Sequence, residues 1–168
     1  MIEIKEIKEI KEIKEGFYYS KYEPNLPMPY TSKMKLDQDL ITKLRVIMYK
    51  LDTEIYSNAY CEQYMGFSEC RLCNKPNGSK EYYIIDENKK YIFPEGYLHY
   101  IEEHNIIPSD EFINLLQKIN KNFFQNRIST SKLDLIRFNS NTDEFIKISP
   151  LENLSKMFNG IGGLQYSS

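Results

Sequence analysis

Four side chains able to hold one metal ion constrain this chain more than any other feature. Cys70 and Cys73 form its only C-x-x-C, and its only two histidines, His99 and His104, follow as H-x4-H. A tight turn can aim two cysteines so spaced at a single ion. Two thiolates and two imidazoles are the donor number and type of closed tetrahedral zinc sites, and both spacings are ones that such sites use. The 25 residues between Cys73 and His99 leave room for a hairpin. On an ideal helix His99 and His104 point about 140° apart, so the helix must tighten or end near His104 for both rings to reach one ion. Asn105 and Pro108 supply such an ending.

Cys61 is the rival ligand. It lies nine residues ahead of Cys70 and would replace one histidine; its plainer role is a small buried hydrophobe on the way into the Cys70–Cys73 turn. Redox chemistry at the C-x-x-C would need a thioredoxin-like βαβ context, which the pattern lacks. A catalytic metal normally keeps one position open for water, whereas four protein donors fill them all. Glu102 and Glu103 sit between the histidines, but H-x4-H has one residue too many for an H-x-x-E-H metalloprotease. A nuclease of the HNH type needs a further histidine as base, and none is left. Glu102 and Glu103 are therefore read as a solvated helix face or as an orienter of one imidazole.

The flanking pattern predicts an α+β domain. Apolar positions from Leu36 to about Ile55 recur at steps of three and four, which predicts an amphipathic helix. Lys75, Pro76, Asn77 and Gly78 spell a turn. Tyr82–Asp86 and Lys90–Phe93 predict a hairpin around Glu87, Asn88 and Lys89, and Pro94 and Glu95 suit the first turn of a helix running to about His104. Turn, hairpin and helix with terminal ligands describe a treble-clef-like zinc finger packed with flanking helices. Pro108, Ser109, Asp110 and Glu111 start the next helix, with Phe112, Leu115, Leu116, Ile119 and Phe123 as its buried stripe. A second hairpin is expected from Leu133–Phe138 and Glu144–Ile148, and a short helix from Pro150 to Phe158.

At the ends the pattern weakens. Residues 1–16 carry a tripeptide tract that sets Ile4, Ile7, Ile10 and Ile13 three apart before Gly16. On a helix that stripe drifts by roughly 60° per repeat, so the tract reads as a frayed or partly helical appendage, or as a helix that docks on a partner or on a second copy through residues 1–15. Residues 17–35 form a strap with Pro24, Pro27 and Pro29. Residues 36–160 are expected to form one zinc-stabilised domain with its finger core at 64–112, and 161–168 a mobile Gly-rich tail.

Charge and composition narrow the function. Lys and Arg number 22 against 24 Asp and Glu, with both signs interspersed, so no bulk basic footprint for nucleic acid or anionic membrane exists. From Cys61 to His104 five residues are basic and eight acidic, and the candidate reading helix offers Glu95, Glu102 and Glu103 where phosphate-binding cations belong. Stacking of single strands on Tyr82, Tyr83 and Tyr91 is the remaining nucleic-acid route. No apolar run of a membrane span or signal peptide occurs, and a C-x-x-C within an odd total of three cysteines suits a reducing compartment, so a cytoplasmic location is expected.

The segments G-F-S-E-C-R-L-C-N, N-G-S-K-E-Y, Y-I-F-P-E-G-Y-L-H-Y-I-E-E-H and P-S-D-E-F resemble a family of small uncharacterised, mainly bacterial proteins. That family shows G-x-S-x-C-R-x-C-G, N-G-S-x-E, W-P-x-G-L-x-H-Y-V-x-x-H and P-x-x-F in the same order. The resemblance covers Tyr64 to Phe112 and implies that Cys70, Cys73, His99 and His104 are its metal-like positions, framed by Arg71, Gly96 and Tyr100. Phe93 stands where the family has Trp, and Asn74 where it has Gly. No activity comes with the family. The resulting expectation is a non-enzymatic protein-interaction or scaffold module with structural Zn2+ and a protein partner; a nucleic-acid adaptor is the alternative, and a metal-dependent hydrolase the third.

Overall fold

The protein is described by a computed structural model covering residues 8–128, and the second hairpin, the last helix and the tail expected from the sequence lie outside these described residues. Its centre is the hairpin of β4 (Lys80–Asp86) and β5 (Lys89–Pro94). Both strands are rich in Tyr, Ile and Phe, which suit a pleated surface packed on two sides. Glu87 takes the left-handed backbone conformation that closes their turn, at φ 56°.

The hairpin is not an isolated finger ribbon. It forms the middle of a mixed six-stranded sheet with β1 (Lys11–Lys14), β2 (Ile55–Tyr56), β3 (Ala59–Gln63) and β6 (Arg127–Ile128), in the order β1-β5-β4-β3-β2-β6. β1 joins β5 in parallel, with Ile13 opposite Tyr91, and the other pairs are antiparallel. Strand alternation divides the side chains between two faces. Tyr82, Ile84, Tyr91 and Phe93 join Ile13 in the main core, while Tyr60, Tyr83 and Ile92 form a smaller cluster closed by Phe17 and Ile55.

The helices cover the first of these faces. α1 (Gln38–Thr53) begins where the Asp37 carboxylate accepts the Asp39 N–H at 2.8 Å, and it buries Ile41, Leu44, Ile47, Met48 and Leu51. α2 (Tyr97–His104) follows β5 directly. α3 (Asp110–Lys118) starts at Ser109, whose hydroxyl accepts the Phe112 N–H at 3.2 Å, an N-cap that satisfies one orphan donor. Phe112 is fully buried, and its ring lies 5.2 Å from that of Phe93 and 5.7 Å from that of Tyr97. The helix stops at Lys118, so Ile119 serves as its cap and Phe123 lies beyond it in a turn.

The N-terminal tract departs from the helical expectation. Residues 11–14 form an edge strand, because pairing with β5 satisfies the backbone and a two-residue alternation needs only Ile13 to reach the core. Ile13 is 9% exposed, whereas Ile10 is 53% exposed. Gly16, at φ 73°, turns the chain against the Tyr97 ring, where a Cβ would not fit. Residues 17–35 then wrap the domain: Tyr19 N–H donates to Pro27 O at 2.9 Å, and Ser32 N–H donates to Asn105 O at 3.1 Å. Among the described residues, no helix is long and apolar enough to cross a membrane.

Glu15 fastens β1 to the core. Its buried carboxylate accepts the Tyr97 hydroxyl at 2.9 Å and both the N–H and the hydroxyl of Ser109, at the start of α3. Negative charge at a helix N-terminus is favourable. Replacing Glu15 with Ala strands these donors, and the expected cost is about 1–3 kcal/mol. Urea unfolding of the full chain should show that loss, with a smaller one for Glu15→Gln; an unchanged midpoint for Glu15→Ala would refute the anchoring role.

Candidate metal centre

Cys70 and Cys73 occupy a tight turn between β3 and β4. Cys70 N–H donates to Lys75 O at 2.9 Å, and Asn74 N–H donates back to Cys70 O at 2.9 Å. Asn74 itself has φ 60°. The left-handed region favours Gly and tolerates Asn, which accounts physically for Asn at this position.

The histidines come from α2. Its last residue is His104, and Asn105 caps it with φ 51° and ψ 39°, so the helix ends where the 140° separation of the two rings requires. The two imidazole centroids stand 5.0 Å apart. Cys70 Sγ lies 3.3 Å from His104 Nε2, and Cys73 Sγ lies 3.2 Å from His99 Nε2. One donor atom from each of Cys70, Cys73, His99 and His104 falls within 4.8 Å of the others. A tetrahedron built on metal–sulfur and metal–nitrogen bonds of about 2.3 and 2.0 Å has edges of roughly 3.3–3.8 Å. The four predicted residues thus lie close enough together to bind one metal ion.

The surroundings favour the ligating forms. Burial pushes the Cys70 thiol up, but the backbone N–H groups of Leu72 and Cys73, together with the Cys73 and Tyr100 side chains, outweigh it and hold the thiol below its ordinary value, toward the thiolate. Burial and the neighbouring His104 push His99 down, toward the neutral imidazole that binds metals. Cys61 differs. It sits on β3 outside the cluster, partly buried against the core, and burial together with the Asp52 carboxylate pushes its thiol up to about 12. It is the packed cysteine of the two alternatives.

Tyr100 and Arg71 tie the cysteine turn to α2. Arg71 N–H donates to the Tyr100 hydroxyl at 2.7 Å, while the Arg71 guanidinium donates to Tyr19 O at 2.6 Å and to Glu69 O. Tyr18 packs edge-on against Tyr100 at 4.7 Å, so the strap closes over the same junction. Glu102 pairs with Arg45 of α1, and Glu103 is exposed. Tyr82, Tyr83 and Tyr91 are 1%, 6% and 4% exposed, so they belong to the core and offer no platform for stacked bases.

A second junction fixes the angle of α2. Asn77 is buried on Gly96, at the helix start, and Ser79 N–H donates to the Glu95 carboxylate at 2.9 Å. A Cβ on Gly96 would overlap the Asn77 side chain. Gly96→Ala must therefore separate the 77–79 turn from α2, at an expected cost of about 1–3 kcal/mol. Thermal melting should register it as a lowered midpoint, and a variant as stable as the parent would contradict this packing.

No curated protein and no solved structure matches the chain. A family described as a domain of unknown function does match it, over residues 27–117, more than half of the chain and inclusive of both cysteines and both histidines. The match begins within the strap and ends in α3, so it takes in α1, the hairpin and the whole site. The chain belongs to that family, DUF7919.

Proposed function

We propose that Cys70, Cys73, His99 and His104 hold one structural zinc ion, and that the tied domain is a treble-clef-like module acting through protein–protein contact rather than by catalysis. The convergence of two sulfur and two nitrogen donors within 4.8 Å carries this reading. The donor set suits zinc, since thiolate and imidazole together select it over hard cations that prefer oxygen. Turn, hairpin and helix follow each other in the treble-clef order, with ligands at the first and last elements. Four protein donors complete a tetrahedron, which supports architecture over water activation.

The metal would stiffen a region with little core of its own, the loop from Tyr64 to Ser79. Apparent binding energies of about 10–16 kcal/mol for structural zinc rival the whole stability of a typical domain. Beside the site, the strap and this loop enclose an open groove of about 760 Å³ whose rim carries Tyr22, Met65 and Phe67, all largely exposed. Exposed apolar clusters of this kind mark interaction sites and support a protein partner.

Metal analysis of purified full-length protein should find one zinc per chain. Cys70→Ser should lose it and lower the melting temperature, as should chelation, whereas Cys61→Ser should keep the zinc. Stability indifferent to chelator, or zinc lost equally with Cys61→Ser, would refute the assignment. The nucleic-acid alternative predicts binding that weakens steeply with salt. Absence of binding at low salt would remove it.

A further inference from the structure

We propose that β1 is a pairing edge, to which a second copy of this chain adds antiparallel so that two sheets become continuous across a two-fold axis at Ile13. This inference is independent of the metal. β1 ends the sheet, and among the described residues no strand pairs on its outer side. On the inner side Lys11 N–H donates to Asn88 O at 2.8 Å and Glu15 N–H donates to Ile92 O at 2.9 Å. Backbone groups alternate sides along a strand in such a ladder, so Glu12 and Lys14 turn their N–H and C=O groups outward. Both residues are exposed.

The side chains select the register. An antiparallel neighbour exchanges paired hydrogen bonds only between residues that both face the seam. Within Lys11–Lys14 three two-fold arrangements meet this condition: Glu12 opposite Glu12, Lys14 opposite Lys14, or Glu12 opposite Lys14. The first two set like charges face to face, which is unfavourable. The third sets a carboxylate against an ammonium twice, once on each side of the axis. It also brings Ile13 opposite Ile13 on the core face, where a cross-strand apolar pair adds to the contact. An in-register parallel neighbour would again align Glu with Glu and Lys with Lys. Two-fold contacts of this isologous kind close on themselves and stop at the dimer.

The seam is short, so self-association is weak. Sedimentation velocity of the full chain from about 10 μM to 1 mM should show a reversible monomer–dimer equilibrium. Glu12→Lys or Lys14→Glu alone should weaken it about tenfold, because each places like charges opposite at both symmetry-related positions. The double swap E12K/K14E restores opposite charges and should return the affinity to within about threefold of the parent. Glu12→Pro, which removes an outward N–H and leaves the ladder to β5 intact, should abolish the dimer. Glu12 also approaches Lys90 at 3.9 Å, so melting curves accompany each variant, and Lys14→Glu supplies the same test without touching that pair. A parent that stays monomeric to 1 mM, a dimer insensitive to the single swaps, a double swap that fails to restore, or a dimer that survives Glu12→Pro overturns the proposal.

Discussion

The junction between the cysteine turn and α2 is the constraint on which the rest of the site depends. The loop from Tyr64 to Ser79 contributes one fully buried apolar residue, Cys70, and one partly buried one, Cys73, to the main core. It is held to α2 by the approach of Cys70 to His104 and of Cys73 to His99, by Arg71 N–H on the Tyr100 hydroxyl, and by Asn77 on Gly96. These contacts run the length of an eight-residue helix from its start to its last residue. The first three are polar contacts, whose loss would leave partly buried donors or acceptors unpaired, and the fourth is close packing of a side chain on a helix start.

The sheet places that helix. β5 delivers the chain to Gly96, and the buried rings of Phe93, Tyr97 and Phe112 hold α2 and α3 on the same face as α1. β1 and the strap contribute from the N-terminal side, through Glu15 on Tyr97 and Ser109 and through Tyr18 on Tyr100. The N-terminal residues are therefore structural partners of the site although they lie far from it in sequence. A metal bound at the four donors would couple the loop to this whole framework, not to the hairpin alone.

Local signals were strong where local physics decides the structure. The steps of three and four from Leu36 to Ile55 correspond to α1 at Gln38–Thr53, and the Tyr- and Ile-rich runs around Glu87 correspond to β4 and β5. The convergence of Cys70, Cys73, His99 and His104 was legible because their spacing restricts which Cys and His can meet, and α2 ends at Asn105, the break that the two-histidine geometry demanded. β1 was not legible. Its repeat of three fits neither a helix nor a strand, and it becomes a strand only by pairing with β5, some 80 residues away, a non-local gain with no signature in the segment itself. β2, β3 and β6 are likewise short strands defined by their neighbours, with two, five and two residues. Cys61 was ambiguous in sequence because spacing cannot reveal that β3 carries it opposite Tyr82 and away from the cluster.

The central claim concerns the coordination of one ion by four named side chains. X-ray absorption at the zinc edge of the full-length protein tests it most directly. Two sulfur scatterers at about 2.3 Å and two nitrogen scatterers at about 2.0–2.1 Å are predicted. A first shell of oxygen and nitrogen alone, a sulfur count other than two, or a fifth light scatterer from bound water would contradict the account.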